Sequence, residues 1–264
     1  MSRQFLQIIL AALIILHTPT SLSLDSAGDP YQSCALSTCG KIQGIGYPFW
    51  GINRPDYCGY PGFGLDCIGS YPVITINQQT YSILDIHFAS RTLRISRQDY
   101  LQRNICPTIL LNTTLNTNLF EYTTPDDTLP LYYGCPVVAS SRALRQFNCS
   151  INRTTSTLVI ADFGSNLRME LCNNSVVVPV NGQLRNNISS EGDLVAVLSE
   201  GFGVRWSTGE DSLCQECQTS GGMCGHNTSR NGFSCYCQDR PYATNYCPPK
   251  KKKGNTTIML ATSS

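Results

Sequence analysis

Three histidines, His17, His87 and His226, are the first side chains to consider for catalysis. None of them belongs to a G-x-S-x-G or H-E-x-x-H motif, the local signatures of many serine hydrolases and zinc proteases. The alternation of Ile86, His87 and Phe88 is typical of a strand, which favours an outward or hydrogen-bonded His87 over a general base. Acids that could pair for glycoside hydrolysis occur in any β protein. We therefore expect a protein that binds its ligand without catalysis and uses no cofactor.

Fourteen cysteines follow the N-terminal apolar run Phe5–Leu16, and this even number predicts seven disulfides in an oxidising compartment. Residues 1–25 have Arg3 before the run and small residues after it. They are predicted to be a signal peptide, because the run is too short to cross a bilayer. Sequons among the cysteines predict surface glycans at Asn112, Asn148, Asn152, Asn173, Asn187 and Asn227. We expect a secreted glycoprotein.

The last six cysteines follow the spacing C-x2-C-x6-C-x10-C-x-C-x9-C. Cys214, Cys217 and the nearby His226 suggest a zinc site as one alternative. An oxidising compartment leaves few free thiolates, so we favour disulfides and expect no metal. The spacing resembles an abbreviated epidermal-growth-factor-like (EGF-like) knot. That resemblance implies three pairs, namely Cys214 with Cys224, Cys217 with Cys235, and Cys237 with Cys247, and leaves the pairing of the first eight cysteines open.

Strand patterns dominate the rest of the chain. The segments are short, rich in β-branched and aromatic residues, and separated by polar turns. They are Tyr71–Ile76, Tyr81–Phe88, Thr92–Ser96, Ser156–Phe163 and Ser175–Val180. In the third, a period of two places Leu93 and Ile95 on a buried face and Arg94 outward. We therefore predict a mostly β, disulfide-rich protein.

One short helix is predicted after the last of these strands. Ser190 and Asp193 have the spacing of a capping box, Leu194, Val197 and Leu198 recur at helical spacing, and a glycine follows. Because the chain is long for one disulfide module, we expect two small β domains, the second with this helix and the knot. Their predicted bounds are 28–106 and 146–247, with a linker at 107–145 and a basic tail at 248–264.

Charge argues against a nucleic-acid partner. Setting aside Arg3 and Lys250–Lys253 leaves 14 basic against 18 acidic residues, so the body of the chain is slightly acidic. The tail has no apolar run of transmembrane length, so we expect no membrane span in this chain. A basic run beside a domain end is also typical of juxtamembrane segments. A soluble protein and a shortened form of a membrane receptor are therefore both open.

Two groups of motifs carry a family resemblance. Cys39-Gly40, Tyr47-Pro48-Phe49 and the closure C-G-Y-P-G-F-G-L-D-C from Cys58 to Cys67 resemble the galacturonan-binding domain of plant wall-associated receptor kinases. Gly201–Trp206 and the C-x2-C and C-x-C steps of the knot are similar to the C-terminal domain of the same family. Their order is most similar to ectodomains of the leaf-rust-resistance type of receptor-like kinase.

The resemblance implies an extracellular module that binds pectin or oligogalacturonides in the cell wall. The chain has no Gly-rich nucleotide loop and no HRD or DFG segment, so we expect no kinase activity. The alternative is a soluble decoy or co-receptor that binds a protein or peptide ligand through the second domain. Truncation would separate the two, since pectin binding should then need only residues 28–106 and a protein partner should need residues 145–247.

A polygalacturonate site needs Arg or Lys donors for carboxylates and aromatic platforms for sugar faces. The candidate residues lie in the first domain, and they are Lys41, Tyr47, Trp50, Arg54, Arg91 and Arg94. Arg54 lies in a polar loop and is expected to be exposed. Phe49 is expected in the core, whereas Trp50 could be either a core residue or a platform.

Overall fold

The computed structural model describes residues 29–101, 105–123, 126–136, 144–151, 154–161, 172–238 and 245–249. The predicted signal peptide, the sequon at Asn152 and most of the basic tail lie outside these ranges. The described chain is mostly β, which confirms the predicted fold class.

Short strands make up most of the described chain. In chain order they are β1 (Ser37–Cys39), β2 (Ile42–Ile45), β3 (Trp50–Gly51), β4 (Gly64–Ile68), β5 (Tyr71–Ile76), β6 (Gln79–His87), β7 (Thr92–Arg97), β8 (Phe120–Tyr122), β9 (Asp126–Tyr133), β10 (Leu144–Ile151), β11 (Thr154–Ala161), β12 (Asn174–Asn181), β13 (Phe202–Trp206), β14 (Met223–Asn227) and β15 (Gly232–Tyr236). The helices are α1 (Pro30–Ser33), α2 (Gln98–Leu101), α3 (Gly182–Arg185), α4 (Glu191–Glu200) and α5 (Asp211–Thr219), with a 3-10 turn at Asp56–Cys58.

The largest sheet has the strand order β3-β4-β5-β6-β7-β13-β8 and is antiparallel except where β3 meets β4. The predicted period of two is confirmed in β7, where Leu93 and Ile95 are buried and Arg94 is exposed. The inner face of this sheet packs with Phe49, Phe63 and other apolar side chains into one core, in which Phe49 is fully buried as expected. This core supports the N-terminal half of the chain.

Strand β13 comes from the predicted second domain but lies within this largest sheet. It pairs with β7 on one side and with β8 on the other. In the ladder with β7, Phe202 lies opposite Ile95 and Val204 lies opposite Leu93. Phe202, Val204 and Trp206 are all buried in the same core. A cut at 107–145 therefore does not separate the sheets, because the first sheet is completed by residues 202–206.

The second sheet has the order β10-β11-β9-β12 and its own apolar core. Helix α4 packs on that core through Leu194, Val197 and Leu198. The predicted capping box is confirmed, since the Ser190 side chain accepts from the Asp193 backbone and the Asp193 carboxylate accepts from the Ser190 backbone. Gly201 ends the helix at a φ of 69°, where an added Cβ would lie 2.0 Å from the Ile95 carbonyl oxygen.

Seven disulfides connect the fourteen cysteines. In the C-terminal knot the structure pairs Cys214 with Cys224, Cys217 with Cys235, and Cys237 with Cys247, which are the pairs that the EGF-like resemblance implies. The other pairs are Cys34 with Cys58, Cys39 with Cys67, Cys106 with Cys149, and Cys135 with Cys172. Because small apolar cores contribute limited stability, these disulfides stabilise loop conformations that packing alone would not maintain.

The knot consists of α5 and the hairpin of β14 and β15, and it packs against the N-terminal half. The rings of Tyr57 and Tyr236 meet edge to face with centroids 5.7 Å apart. The Tyr236 hydroxyl also donates to the Tyr57 carbonyl oxygen at 3.3 Å. Two parts of the chain that are about 180 residues apart in sequence therefore share one contact surface.

Candidate functional site

A cleft of about 730 Å³ lies where the knot meets the N-terminal half. We call it the main cleft. One wall comes from residues 36–91 and includes Tyr47, Phe88 and Arg91. The rest of the lining, which we call the second wall, comes from residues 206–218 and includes Trp206 and Asp211. The N-terminal half does not form this cleft alone, because helix α5 of the knot supplies much of the second wall.

A second cleft of about 420 Å³ adjoins the first and shares Arg91 and Trp206 with it. We call it the side cleft, and the two together the groove. Its other lining residues include Asn118, Glu121 and Arg205. The side cleft continues the main cleft along the edge of the largest sheet, where β8 and β13 lie side by side.

Two arginines line the groove among the residues that the structure describes. Arg91 Nη1 lies 2.7 Å from Asp211 Oδ2, and Arg205 Nη1 lies 3.1 Å from Glu121 Oε1. Both guanidinium groups are about half exposed, with side-chain exposures of 46% and 52%. They can therefore reach an anionic ligand in solution, and planar guanidinium groups bind carboxylates through two parallel hydrogen bonds.

An aromatic cluster lies beside Arg91 in the main cleft. Phe88 is 38% exposed and its ring centroid lies 5.9 Å from that of Trp206, which in turn lies 5.4 Å from that of Phe49. Trp206 is only 2% exposed, so it supports the cleft from below. Phe88 is the aromatic face that a ligand in this cleft can contact.

Tyr47, which lines the main cleft, belongs to a buried cluster of polar side chains. The Tyr47 hydroxyl donates to Glu210 Oε2, and His226 Nδ1 lies 3.6 Å from Glu210 Oε1. His226 is almost fully buried, and its Nε2 lies 3.3 Å from Asn231 Oδ1. Burial, together with the hydrogen bond to Glu210, raises the pKa of Tyr47, so its hydroxyl stays protonated. Tyr47 therefore lines the cleft with its ring and connects the knot to the N-terminal half with its hydroxyl.

The prediction that Arg54 is exposed is wrong. Only 4% of this residue is accessible, and its guanidinium donates to four backbone carbonyl oxygens. These oxygens belong to Cys34, Ala35, Phe49 and Cys58, and the disulfide between Cys34 and Cys58 holds two of them together. Desolvation lowers the pKa of Arg54 to about 10, which leaves it charged at neutral pH. Arg54 therefore stabilises the fold and is not accessible to a glycan.

Three other candidate residues lie away from the groove. Lys41 is exposed, with its Nζ 5.5 Å from the centroid of the Tyr71 ring. Trp50 is half-buried and its Nε1 donates to the Tyr60 carbonyl oxygen at 3.1 Å, so it packs as a core residue. Arg94 is exposed as predicted but pairs with Glu200 at 2.7 Å. Of the six candidates, the structure brings only Tyr47 and Arg91 together in the main cleft.

Several groove residues did not emerge from the sequence. Phe88 could have been found as an apolar residue at the end of a strand, next to a turn. Arg205 follows the alternation of Phe202, Val204 and Trp206, which would have placed it outward. Asp211 had no such signal, because its role depends on where α5 packs.

The alternative of a zinc site is inconsistent with the pairing of its cysteines. Cys214 and Cys217 both form disulfides, so their sulfurs are not available as thiolate ligands. Among the predicted glycosylation sites, Asn148, Asn173 and Asn187 are exposed. Asn112 is exposed as well, and its Oδ1 accepts from the Val177 backbone at 2.9 Å. Asn227 is half-buried, and the presence of glycans at these positions stays a prediction.

Two family models match the chain. The model described as wall-associated receptor kinase galacturonan-binding matches residues 34–97, and the model described as wall-associated receptor kinase C-terminal matches residues 145–240. The chain is an ectodomain of the wall-associated receptor kinase type. In this ectodomain, the first model covers the wall of the main cleft that contains Tyr47, Phe88 and Arg91, and the second model covers residues 206–218 of the second wall.

Relatives of this wall-associated kinase-type ectodomain are receptor-like kinases of Arabidopsis thaliana. Leaf rust 10 disease-resistance locus receptor-like protein kinase-like 2.8 is 30% identical over 234 residues, which are 81% of this chain and 25% of the relative. The relative whose name ends in kinase-like 2.4 is 34% identical over 200 residues, which are 71% of this chain and 29% of the relative. The one whose name ends in kinase-like 2.1 is 28% identical over 215 residues, which are 77% of this chain and 33% of the relative. The chain thus spans about a quarter to a third of these relatives.

No solved structure matches the chain. Among the helices that the structure describes, none has the length and hydropathy that a membrane crossing requires.

Proposed function

We propose that this ectodomain binds acidic cell-wall polysaccharide, namely de-esterified galacturonan, in the groove and without catalysis. The observation that carries the proposal is the position of Phe88 and Arg91. Both belong to the segment that matches the galacturonan-binding model, and both line the main cleft. The expected location is the cell wall, in keeping with a disulfide-rich ectodomain family.

The chemistry of the groove fits a uronic acid oligomer. Each galacturonate residue has one carboxylate, which a guanidinium group can bind through two hydrogen bonds, and one apolar ring face, which can pack on an aromatic ring. Arg91 and Arg205 are the groove's cations, and Phe88 is its exposed aromatic residue. The two clefts have volumes in the range of small-ligand sites, so together they accommodate a short oligomer.

The test is a binding titration of the secreted chain with galacturonan oligomers, de-esterified or methyl-esterified, at two salt concentrations. We expect the de-esterified form to bind more tightly and its affinity to fall as salt rises, because exposed charge pairs are screened. Arg91→Ala and Arg205→Ala should each weaken binding. Arg94→Ala is the matched control, since it removes an exposed, paired arginine outside the groove. Equal losses in all three variants would place the site elsewhere.

A protein or peptide ligand is the second candidate, and a separate surface favours it. A small cleft of about 280 Å³ is lined by Tyr122, Val177 and Pro179 together with Thr113, Asp127 and Thr128. Leu111, two positions before Thr113, is 50% exposed. Tyr122 and Val177 are themselves 45% and 37% exposed. Exposed apolar clusters of this kind are typical of protein interfaces. A Val177→Asp substitution should abolish capture of a peptide ligand and leave galacturonan binding intact.

A further inference from the structure

Both arginines of the groove are already paired with carboxylates of the chain itself. Arg91 contacts Asp211 across the main cleft, and Arg205 contacts Glu121 in the side cleft. We propose that Asp211 and Glu121 are internal competitors, which a carboxylate of the ligand must displace from the two guanidinium groups. This inference rests on the proposed function, and it makes two acidic residues determinants of affinity at a site for an anion.

The Arg91 pair joins two elements whose backbones are firmly held. The Arg91 carbonyl oxygen accepts from the Trp206 backbone at 2.9 Å, and its N–H donates to the Phe88 carbonyl oxygen at 3.2 Å. Asp211 is the first residue of α5, which two disulfides connect to the hairpin of the knot. Exchange of partners at Arg91 therefore requires rotation of side chains, with no rearrangement of the cleft walls.

The Arg205 pair has the same character on neighbouring strands. Arg205 of β13 and Glu121 of β8 are directly opposite each other in the ladder, so their side chains leave the sheet on one face. Both are more than half exposed, at 52% and 65%. Glu121 can therefore turn to solvent when a ligand carboxylate approaches Arg205.

The strength of such pairs is suited to exchange. The Arg205–Glu121 pair is exposed, whereas Asp211 in the other pair is 28% exposed. Exposed ion pairs contribute little to stability, so breaking the Arg205–Glu121 pair lowers ligand affinity by a factor of only about 1.4 to about 5, and breaking the less exposed Arg91–Asp211 pair lies at the upper end of that range. In addition, each internal carboxylate repels a polyanion that approaches the groove. Neutralising Asp211 or Glu121 should therefore raise affinity for galacturonan, which is the opposite of what a ligand-contacting residue would do.

The experiment compares three isosteric variants of the secreted chain: Asp211→Asn, Glu121→Gln and, as the control, Glu200→Gln. The control removes the same charge from the exposed pair with Arg94, which lies outside the groove. The probe is a de-esterified galacturonan oligomer, and the readout is its dissociation constant at low salt. We expect Asp211→Asn and Glu121→Gln each to bind about two- to fivefold more tightly than Glu200→Gln, with no gain at salt concentrations that screen the pairs.

The outcomes separate this inference from the proposed function. If the unmodified chain binds but Asp211→Asn and Glu121→Gln bind no more tightly than Glu200→Gln, the internal competition is wrong and galacturonan binding stands. If neither the unmodified chain nor any variant binds, both the inference and the proposed function are overturned. Urea unfolding of each variant, together with its secreted yield, identifies a loss of affinity that comes from a loss of folding.

Discussion

The hydroxyl of Tyr47 donates a hydrogen bond to the carboxylate of Glu210, 163 positions later in the chain. Tyr47 belongs to the segment matched as galacturonan-binding, and Glu210 to the segment matched as the C-terminal domain. The ring of Tyr47 also packs edge to face on Phe233 of the knot, with centroids 6.0 Å apart. The two family modules therefore form one structure around the main cleft.

Replacing Tyr47 with Phe should destabilise the chain, because Glu210 is only 15% exposed and would lose its hydroxyl donor. A buried polar group without its partner costs about 1–3 kcal/mol of the free energy of unfolding. Urea unfolding of the oxidised protein measures this loss. Tyr71→Phe is the control, because the Tyr71 hydroxyl accepts an exposed hydrogen bond from Lys41. This substitution should change stability by less than about 0.5 kcal/mol. Similar losses in both variants would contradict the special role of Tyr47.

Arg54→Lys should be strongly destabilising even though it keeps the charge. The four carbonyl oxygens around Arg54 need a planar group with several fixed donors, and an ammonium group on a flexible chain cannot reach all of them. We expect a loss of about 2–4 kcal/mol in the free energy of unfolding. Arg94→Lys, at an exposed ion pair, should lose less than about 0.5 kcal/mol. Equal stability of the two variants would contradict the role of Arg54 in stabilising the fold through these four hydrogen bonds.

Part of the loss of stability in acid should come from protonation of Asp193 in the N-terminal capping box of α4. Hydrogen bonds from Ser189 and Ser190 lower the pKa of Asp193 to about 2, so the native state favours the carboxylate. This contribution is fully present above the unfolded pKa of about 4 and is lost as pH falls through about 2. Urea midpoints measured from pH 6 to pH 2 should show a shallower decline for Asp193→Asn. Glu191→Gln, which leaves the capping box in place, should retain the slope of the unmodified chain.

Gly222→Ala should impair the knot. A Cβ at this position would lie 2.4 Å from Cys235 Sγ and 2.7 Å from Cys217 Sγ, so that disulfide would have to move. The expected loss is about 2–5 kcal/mol, similar to that of a native disulfide, with a lower secreted yield. Gly192→Ala is the control, because its nearest atom is Ser190 Oγ at 3.6 Å and alanine favours a helix. Its stability should be unchanged or raised by up to about 1 kcal/mol.

A chain of residues 28–106 alone should neither fold nor bind galacturonan. This prediction replaces the earlier expectation that these residues are sufficient, because β13 completes their sheet and helix α5 supplies the second wall of the main cleft. Without residues 202–206, Leu93 and Ile95 lose their buried neighbours in the core. NMR chemical-shift dispersion of 28–106, compared with that of 28–249, measures the effect. If residues 28–106 alone fold and bind galacturonan, then β13 and helix α5 are not required for the site.

Local sequence patterns predict the structure correctly at several positions where neighbouring residues set the conformation. The β-branched and aromatic residues of Tyr71–Ile76 predict a strand whose bounds the structure reproduces. Ser190 and Asp193 predict a helix start because the two side chains of a capping box bond each other's backbone within one turn. The spacing of the last six cysteines, through its resemblance to EGF-like knots, implies the pairs that form. In each case the interacting groups are close in the chain, or belong to a module that recurs as a unit.

The amino-acid sequence was thus sufficient to predict the fold class, the outward face of Arg94, the capped helix and, through the EGF-like resemblance, the three disulfides of the knot. Long-range packing was needed to show that β13 inserts beside β7, that Arg54 is buried, that Arg91 faces Asp211 and how the first eight cysteines pair. The physical reason is distance along the chain. The order of β7 and β13 and the pairing of Arg91 with Asp211 depend on segments more than a hundred residues apart, whose relative positions the packed core defines. The carbonyl oxygens around Arg54 come from residues up to 20 positions away, which a disulfide and the loop conformation bring together.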